Sequence, residues 1–402
     1  SSGQYNVAMG YSALTAFTTG YNNTILGYRA GFSKTTGFAN VYLGYQAGFR
    51  GTTGRGNVAV GSNAQQGVSG QTTGTYNVSL GENSLFGLTT GNHNFAVGSN
   101  AGLSLTTGEH NVIIGASAGD ALTTNSSTIM IGREAGTNIN SADANGTVLV
   151  GTYAGRALTS GKYNTAIGYH ALYSATGGQN TAVGQNSLSS NTTGNYNTAI
   201  GIDAGSSNTT GNYNHYFGRR AGRFGTTAGQ NIGIGHLALT NNVSGTNNVG
   251  IGHEALTDNT TNNNTGLGHN ALKATTTGSH NVAVGARAAD ANTTGYYNTA
   301  VGESAMGKNT TGYSNVAVGF NTLGQNLSGT GNIAIGDDAL TNTTTSSNVA
   351  IGNDAAKANT TGSQFVAVGD GALANQTTAG YNVAVGHSAL KDVTTGSSNV
   401  GI

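Results

Sequence analysis

A glycine that closes a short apolar run returns along the whole chain, nearly always 17 residues after the one before. The runs read NVAVG at 57–61, NTAIG at 164–168, NVAVG at 281–285 and NIAIG at 332–336. From Gly10 to Gly386 there are 23 such glycines; three intervals are 16, one is 19 and one is 20. The two long intervals contain 65–71 and 139–146, which read as loops bulging from single coils. With positions counted from this anchor glycine, the unit is T-T-G-x-x-N-[VT]-A-[VI]-G-x-x-A-L. A fixed short period of this kind marks a solenoid or array.

Seventeen residues are too few for the helix pairs of α-repeats, which need more than thirty. The local pattern is alternation. Position −1 is apolar in all 23 units, and position −3 is Val, Ile, Phe or Thr in all but one, where it is His215. Residues two apart on a strand share a face, so −1 and −3 are expected to point into the coil, opposite Ala at +3 and Leu at +4. The expected fold is all-β: one parallel β-solenoid, a β-roll of about 24 coils over residues 1–402, in a rod of about 115 Å. The anchor glycines (Gly61, Gly81, Gly98, Gly115, Gly168, Gly184 and Gly201 among them) are expected at corners that exclude a Cβ or need positive φ. Thr-Thr-Gly forms a second corner. Asn occupies −4 in 20 of 23 units. Stacked coils would align Asn57, Asn77, Asn94, Asn111, Asn164, Asn180 and Asn197 into an amide ladder.

Composition supports this reading. Charged residues make up 7% of the chain, and glycine supplies 67 of 402 residues with no proline. Collagen needs glycine at every third position and abundant proline. Disordered chains are rich in charge and poor in β-branched residues, whereas Val, Ile and Thr recur here on schedule. Net charge is zero, and no basic stripe of the kind nucleic acid requires is present. No apolar run approaches the ~20 residues that span a bilayer. There is no cysteine. The chain lacks an initiator Met and stops in mid-repeat, so it reads as an excerpt of a longer fibre.

If −1 and −3 point inward, −2 points outward. That position is never charged, and is Ala in 13 units, including Ala59, Ala96, Ala166, Ala182, Ala199, Ala283, Ala300 and Ala317. Small uncharged residues on an outward row suit close packing of another backbone, so this row is the expected interface between copies, most simply three chains around an axis.

Sites for chemistry are sparse. Fifteen carboxylates are scattered over the coils at non-repeating positions, which does not assemble the convergent set catalysis needs. Asp337 and Asp338 are adjacent in a turn and face different ways. No calcium-type aspartate column and no nucleotide loop occurs. We therefore expect no catalytic residue, metal or cofactor. Arg219, Arg220 and Arg223 read as a solvated corner. His236, His253 and His269 follow three successive anchors and should stack, as turn residues rather than ligands. Tyr11, Tyr28 and Tyr45 should also stack, either to bind glycans or to shield the coil edge. Asn191, Asn208, Asn292, Asn309 and Asn359 lie in Asn-x-Thr sequons at the Thr-Thr-Gly corner, where they are expected to be exposed.

The N-V-A-I-G-x-x-A pattern, seen at 348–355 and with Val for Ile at 57–64, resembles the head repeats of trimeric autotransporter adhesins. It is also similar to repeats of phage tail-fibre-like proteins, in which Thr-Thr-Gly-x-x-Asn recurs. The resemblance covers nearly the whole chain and implies a left-handed β-roll, usually trimeric, outside the cell or virion. The coils of adhesin heads are shorter and lack a regular Thr-Thr-Gly. The function expected is that of a non-enzymatic extracellular structural or adhesive fibre. Its partners would be other copies of the chain, as homotrimer or filament, and a host-surface or glycan receptor. The competing expectation is a surface-binding solenoid that recognises ice or glycans through Thr or Tyr columns.

Overall fold

The computed structural model describes residues 2–68 and 72–402; the rest of the first expected loop, 69–71, lies outside the described residues. The chain forms two compact units, Ser1–Ile202 and Asp203–Ile402. The first carries strands β1 (Val7–Met9) to β12 (Thr198–Ile200), the second β13 (His215–Phe217) to β24 (Val400–Gly401). Within each unit every strand pairs in parallel, in register, with the same positions of the next coil, as Val112, Ile113 and Ile114 do with Ile129, Met130 and Ile131. Each unit is thus a parallel β-solenoid of about 17 residues per turn, roughly 53 Å long at the usual strand spacing. Coil-to-coil hydrogen bonds continue around the corners: Leu85 N donates to Ala101 O (3.0 Å) and Thr106 N to Thr123 O (2.8 Å).

The anchor glycines adopt φ between +126° and +140°, a region essentially reserved for glycine. A Cβ on Gly115 would sit 2.4 Å from the carbonyl oxygen of Gly132, the equivalent glycine one coil on. The corner therefore demands glycine twice, by torsion and by the approach of the neighbouring backbone. The second long interval forms a 3-10 turn at Ala142–Ala144, capped by the Ser141 hydroxyl, with Ile139 and Ala144 buried.

The facing of the strand is the reverse of that expected. Position −2 is buried, while −3 and −1 lie half-exposed on the outside. The interior holds the −2 row, Ala at +3 and the residues at +4 and +7. Where −2 meets +4 there is room for about one large side chain per coil. The six units with a large −2 residue (Ile25, Tyr42, Ile113, Met130, Leu149 and Tyr216) all have glycine at +4: Gly31, Gly48, Gly119, Gly136, Gly155 and Gly222. A Cβ on Gly48 would lie 2.4 Å from the Tyr42 ring, and one on Gly136 2.7 Å from Met130 Sδ. Conversely, the units with Gly233, Gly250 and Gly266 at −2 carry Leu239, Leu256 and Leu272 at +4. This exchange of volume keeps the core close-packed, where even one surplus methylene is felt.

Candidate functional site: an uncharged strand face

Because −2 is internal, Ala59, Ala96, Ala166, Ala182, Ala199, Ala283, Ala300 and Ala317 are all fully buried inside their own coils. They cannot touch another chain. The outward face is instead made by −3 and −1: Val58 and Val60, Val112 and Ile114, Ile333 and Ile335, and their equivalents. The larger residues of this face are conspicuously bare, with Ile167 at 41% and Leu267 at 43% exposed. No Asp, Glu, Lys or Arg occurs at −5, −3 or −1 in any unit. Every coil but that of His215 thus adds two apolar or Thr side chains to a strip without Asp, Glu, Lys or Arg.

Aromatic ladders flank the strip. At +1, Tyr11, Tyr28 and Tyr45 stack at 5.5 and 5.3 Å. At −5, Tyr76, His93 and His110 stack at 5.2 and 5.1 Å. Rings stacked in this way cover each other's faces and offer mainly their edges, whereas a sugar packs on a ring face. At the Thr-Thr-Gly corner the two Thr residues differ in use. The first Thr hydroxyl is used between coils, with Thr293 Oγ1 donating to Thr310 O and Thr310 Oγ1 to Leu327 O (2.9 Å each). The second Thr, such as Thr294, is exposed, while the first ranges from half-buried (Thr293) to exposed (Thr276 and Thr360).

The −4 Asn column forms as expected. Asn111 donates from its backbone N and its Nδ2 to Asn94 Oδ1 (3.1 and 2.9 Å), and from Nδ2 to Asn125 O (2.8 Å). Where Thr128 replaces Asn, its hydroxyl donates to Asn111 Oδ1 (2.7 Å). Asn57, Asn77, Asn94, Asn164, Asn180 and Asn197 hold equivalent buried places. Asn111→Ala strands three buried groups: the carbonyl of Asn125, and the N–H and hydroxyl of Thr128. It should cost about 2–4 kcal/mol, with Asn111→Thr losing less. Denaturant titration checks this; equal, negligible losses for both variants would contradict the ladder's role.

A second Asn column escaped the sequence reading. Asn292, Asn309 and Asn326, at +7, are buried and donate to the carbonyls of Gly295, Gly312 and Gly329 (3.0, 3.0 and 3.1 Å). The sequon residues Asn191, Asn208, Asn292, Asn309 and Asn359 belong to this column and are buried, not exposed. The signal was present in the sequence: the same corner is apolar in Leu88, Leu105 and Leu122, and a position that alternates between Asn and Leu lies inside. Lys34 occupies it too. Its ammonium is fully buried, 2.5 Å from Gly54 O and 3.5 Å from the Tyr42 hydroxyl, and burial lowers its pKa to about 7.

The other ionisable groups singled out from the sequence meet neighbouring residues. His253 and His269 stack at 5.2 Å, His236 lies tilted 5.1 Å from His253, and Arg219 Nη2 lies 2.7 Å from His236 Nε2. Among the described residues no group of three or more His, Cys, Asp or Glu is disposed to hold a metal. Arg220 approaches Asp203 (3.8 Å) and Arg223 lies over Phe224. Asp337 accepts from Phe320 N (3.2 Å), whereas Asp338 meets Asn321 and Lys357 (2.7 and 2.8 Å), so the two carboxylates diverge.

The fold and this face define a class: a parallel β-solenoid repeat protein with an uncharged, largely apolar strand face. Compared with protein-family models and with curated proteins, the sequence matches none.

Proposed function

We propose that the chain is a non-enzymatic structural segment of an extracellular, cell-surface or virion-surface fibre, in which solenoids associate with further copies through the strand face. The observation that carries this reading is the uncharged strip to which every coil contributes. With roughly a third of each side chain bare, the 24 outward residues of a unit expose on the order of 1,000 Å². Monomeric proteins rarely leave patches beyond a few hundred Å² uncovered, and a standard interface takes ~800 Å² per partner. A strip two residues wide suits three chains around an axis. The pairing of carboxylates with Arg156, Lys273 and Lys357 of neighbouring coils fits a structural role. The resemblance to adhesin heads supports placement outside the cell and an adhesive outer surface for a host or glycan receptor.

Replacing Val249, Val282 and Val316, all at −3, by Asp places charge on the strip without entering the core. The triple variant should keep its circular dichroism and sediment as a 40.1-kDa chain, while the unaltered protein sediments as a multiple of that mass. Variant and parent with the same mass would overturn the reading.

A further inference from the structure

The strip carries no permanent charge, but histidine lies on it at one place and along its −5 edge at three. His93, His110 and His280 occupy −5, and His215 occupies −3. Among the −5, −3 and −1 columns these four are the only side chains that gain a positive charge on acidification. All four are exposed. We infer that assembly through the strand face is acid-labile, closed near neutral pH and opened when these histidines protonate; this rests on the proposed contact between copies.

The physical argument is one of linkage. Imidazole takes its proton within the range from pH 8 to 5. In separated chains an exposed imidazolium is hydrated. In a contact lined by Val, Ile and Thr it would be desolvated without a counter-ion on its own columns. The assembled state therefore binds fewer protons than the separated chains, and association must weaken as pH falls. The surroundings of each histidine agree with this. His93 lies between the rings of Tyr76 and His110. His280 meets Tyr297, Asn263 and Ser279. The strand of His215 pairs with Ile232, Gly233 and Ile234. Glu109 stands next to His110 on the chain, and its carboxylate accepts from Asn92 Nδ2 (2.8 Å).

The test is sedimentation velocity of the full chain at pH 7.5 and 5.5, with circular dichroism at each pH. The first variant is H93Q/H110Q/H215T/H280Q, which uses residues the same columns already hold in Gln179, Gln230 and Thr198. The unaltered chain should associate at pH 7.5 and at least tenfold more weakly at pH 5.5, while the variant associates equally at both. A second variant, H253S/H269S, lies outside the strand columns and should keep the full pH response. Assembly that is indifferent to pH, or a first variant as acid-labile as the parent, overturns the inference while leaving the assembly intact. A 40.1-kDa species at pH 7.5 removes the assembly reading and this inference with it.

Discussion

Substituting one anchor glycine by alanine, Gly115→Ala, is expected to cost more than 4 kcal/mol and to open the coils on either side of it. Two separate penalties apply. The residue's φ of +135° lies where L-residues pay about 1–3 kcal/mol. The new methyl would also sit 2.4 Å from Gly132 O and 2.6 Å from Gly132 C, atoms of a backbone that cannot yield without breaking its own bonds to the following coil. Gly331→Ala is the control. That glycine has φ +64° and nothing within 4 Å of its Cβ, and other units place His93 or Tyr297 in the same conformation. Its loss should be about 1 kcal/mol. Because coils contact only their neighbours, damage in a solenoid stays local. Hydrogen exchange should show lost protection at Val112–Ile114 and Ile129–Ile131 for Gly115→Ala. Equal losses for the two alanine variants would contradict this account of the corner.

Replacing Lys34 by Leu is expected to stabilise the first unit. Folding lowers the pKa of this lysine from 10.5 to about 7 through burial, so the unfolded chain binds more protons throughout that interval. Stability consequently rises with pH between about 7 and 10.5, and the full penalty is present below 7. Its size is on the order of 4 kcal/mol. Leucine removes it and is the residue the same corner uses in Leu88 and Leu105. Little is lost in exchange, because Asn40 Nδ2 still donates to Gly54 O (3.1 Å) and the Tyr42 hydroxyl keeps Asn40 Oδ1 (3.4 Å). Denaturant titrations at pH 7 and pH 10.5 should show the variant ahead by several kcal/mol at the lower pH, with the gap nearly closed at the higher. A destabilised variant, or a gap independent of pH, would overturn the assignment.

Much of this fold was legible in the sequence, because the repeat multiplies each local signal. Gly61 or Gly168 alone says little, but the same residue at the same place in every coil identifies the corner. Asn94 and Asn111 declared their ladder in the same way. The facing of the strand was misread for a physical reason. Val and Ile are ordinarily the buried residues of a strand and Ala is indifferent, so NVAVG reads as Val inside. Hydropathy cannot reveal that the strand turns its single −2 residue into the coil, nor that the outer face is itself apolar. The exchange between Tyr42 and Gly48, or between Gly250 and Leu256, does reveal it, because compensating volumes must share one space. The second Asn column was hidden by its likeness to a sequon. Lys34 was hidden because one lysine in a column of Phe, Leu and Asn looks like a stray surface charge.

The absence of cysteine makes thiol labelling the most direct measurement of which way the strand faces and what covers it. Single cysteines at Val282, Ala283 and Thr294 report on the outward strip, the coil interior and the open corner. In the native protein at neutral pH, Thr294→Cys should react quickly and Ala283→Cys hardly at all. Val282→Cys should be protected in the assembly and become reactive on dilution or when the strip carries Asp substitutions. A Val282→Cys thiol as reactive as Thr294→Cys at every concentration would mean that the face is bare, and that copies of this chain do not meet there.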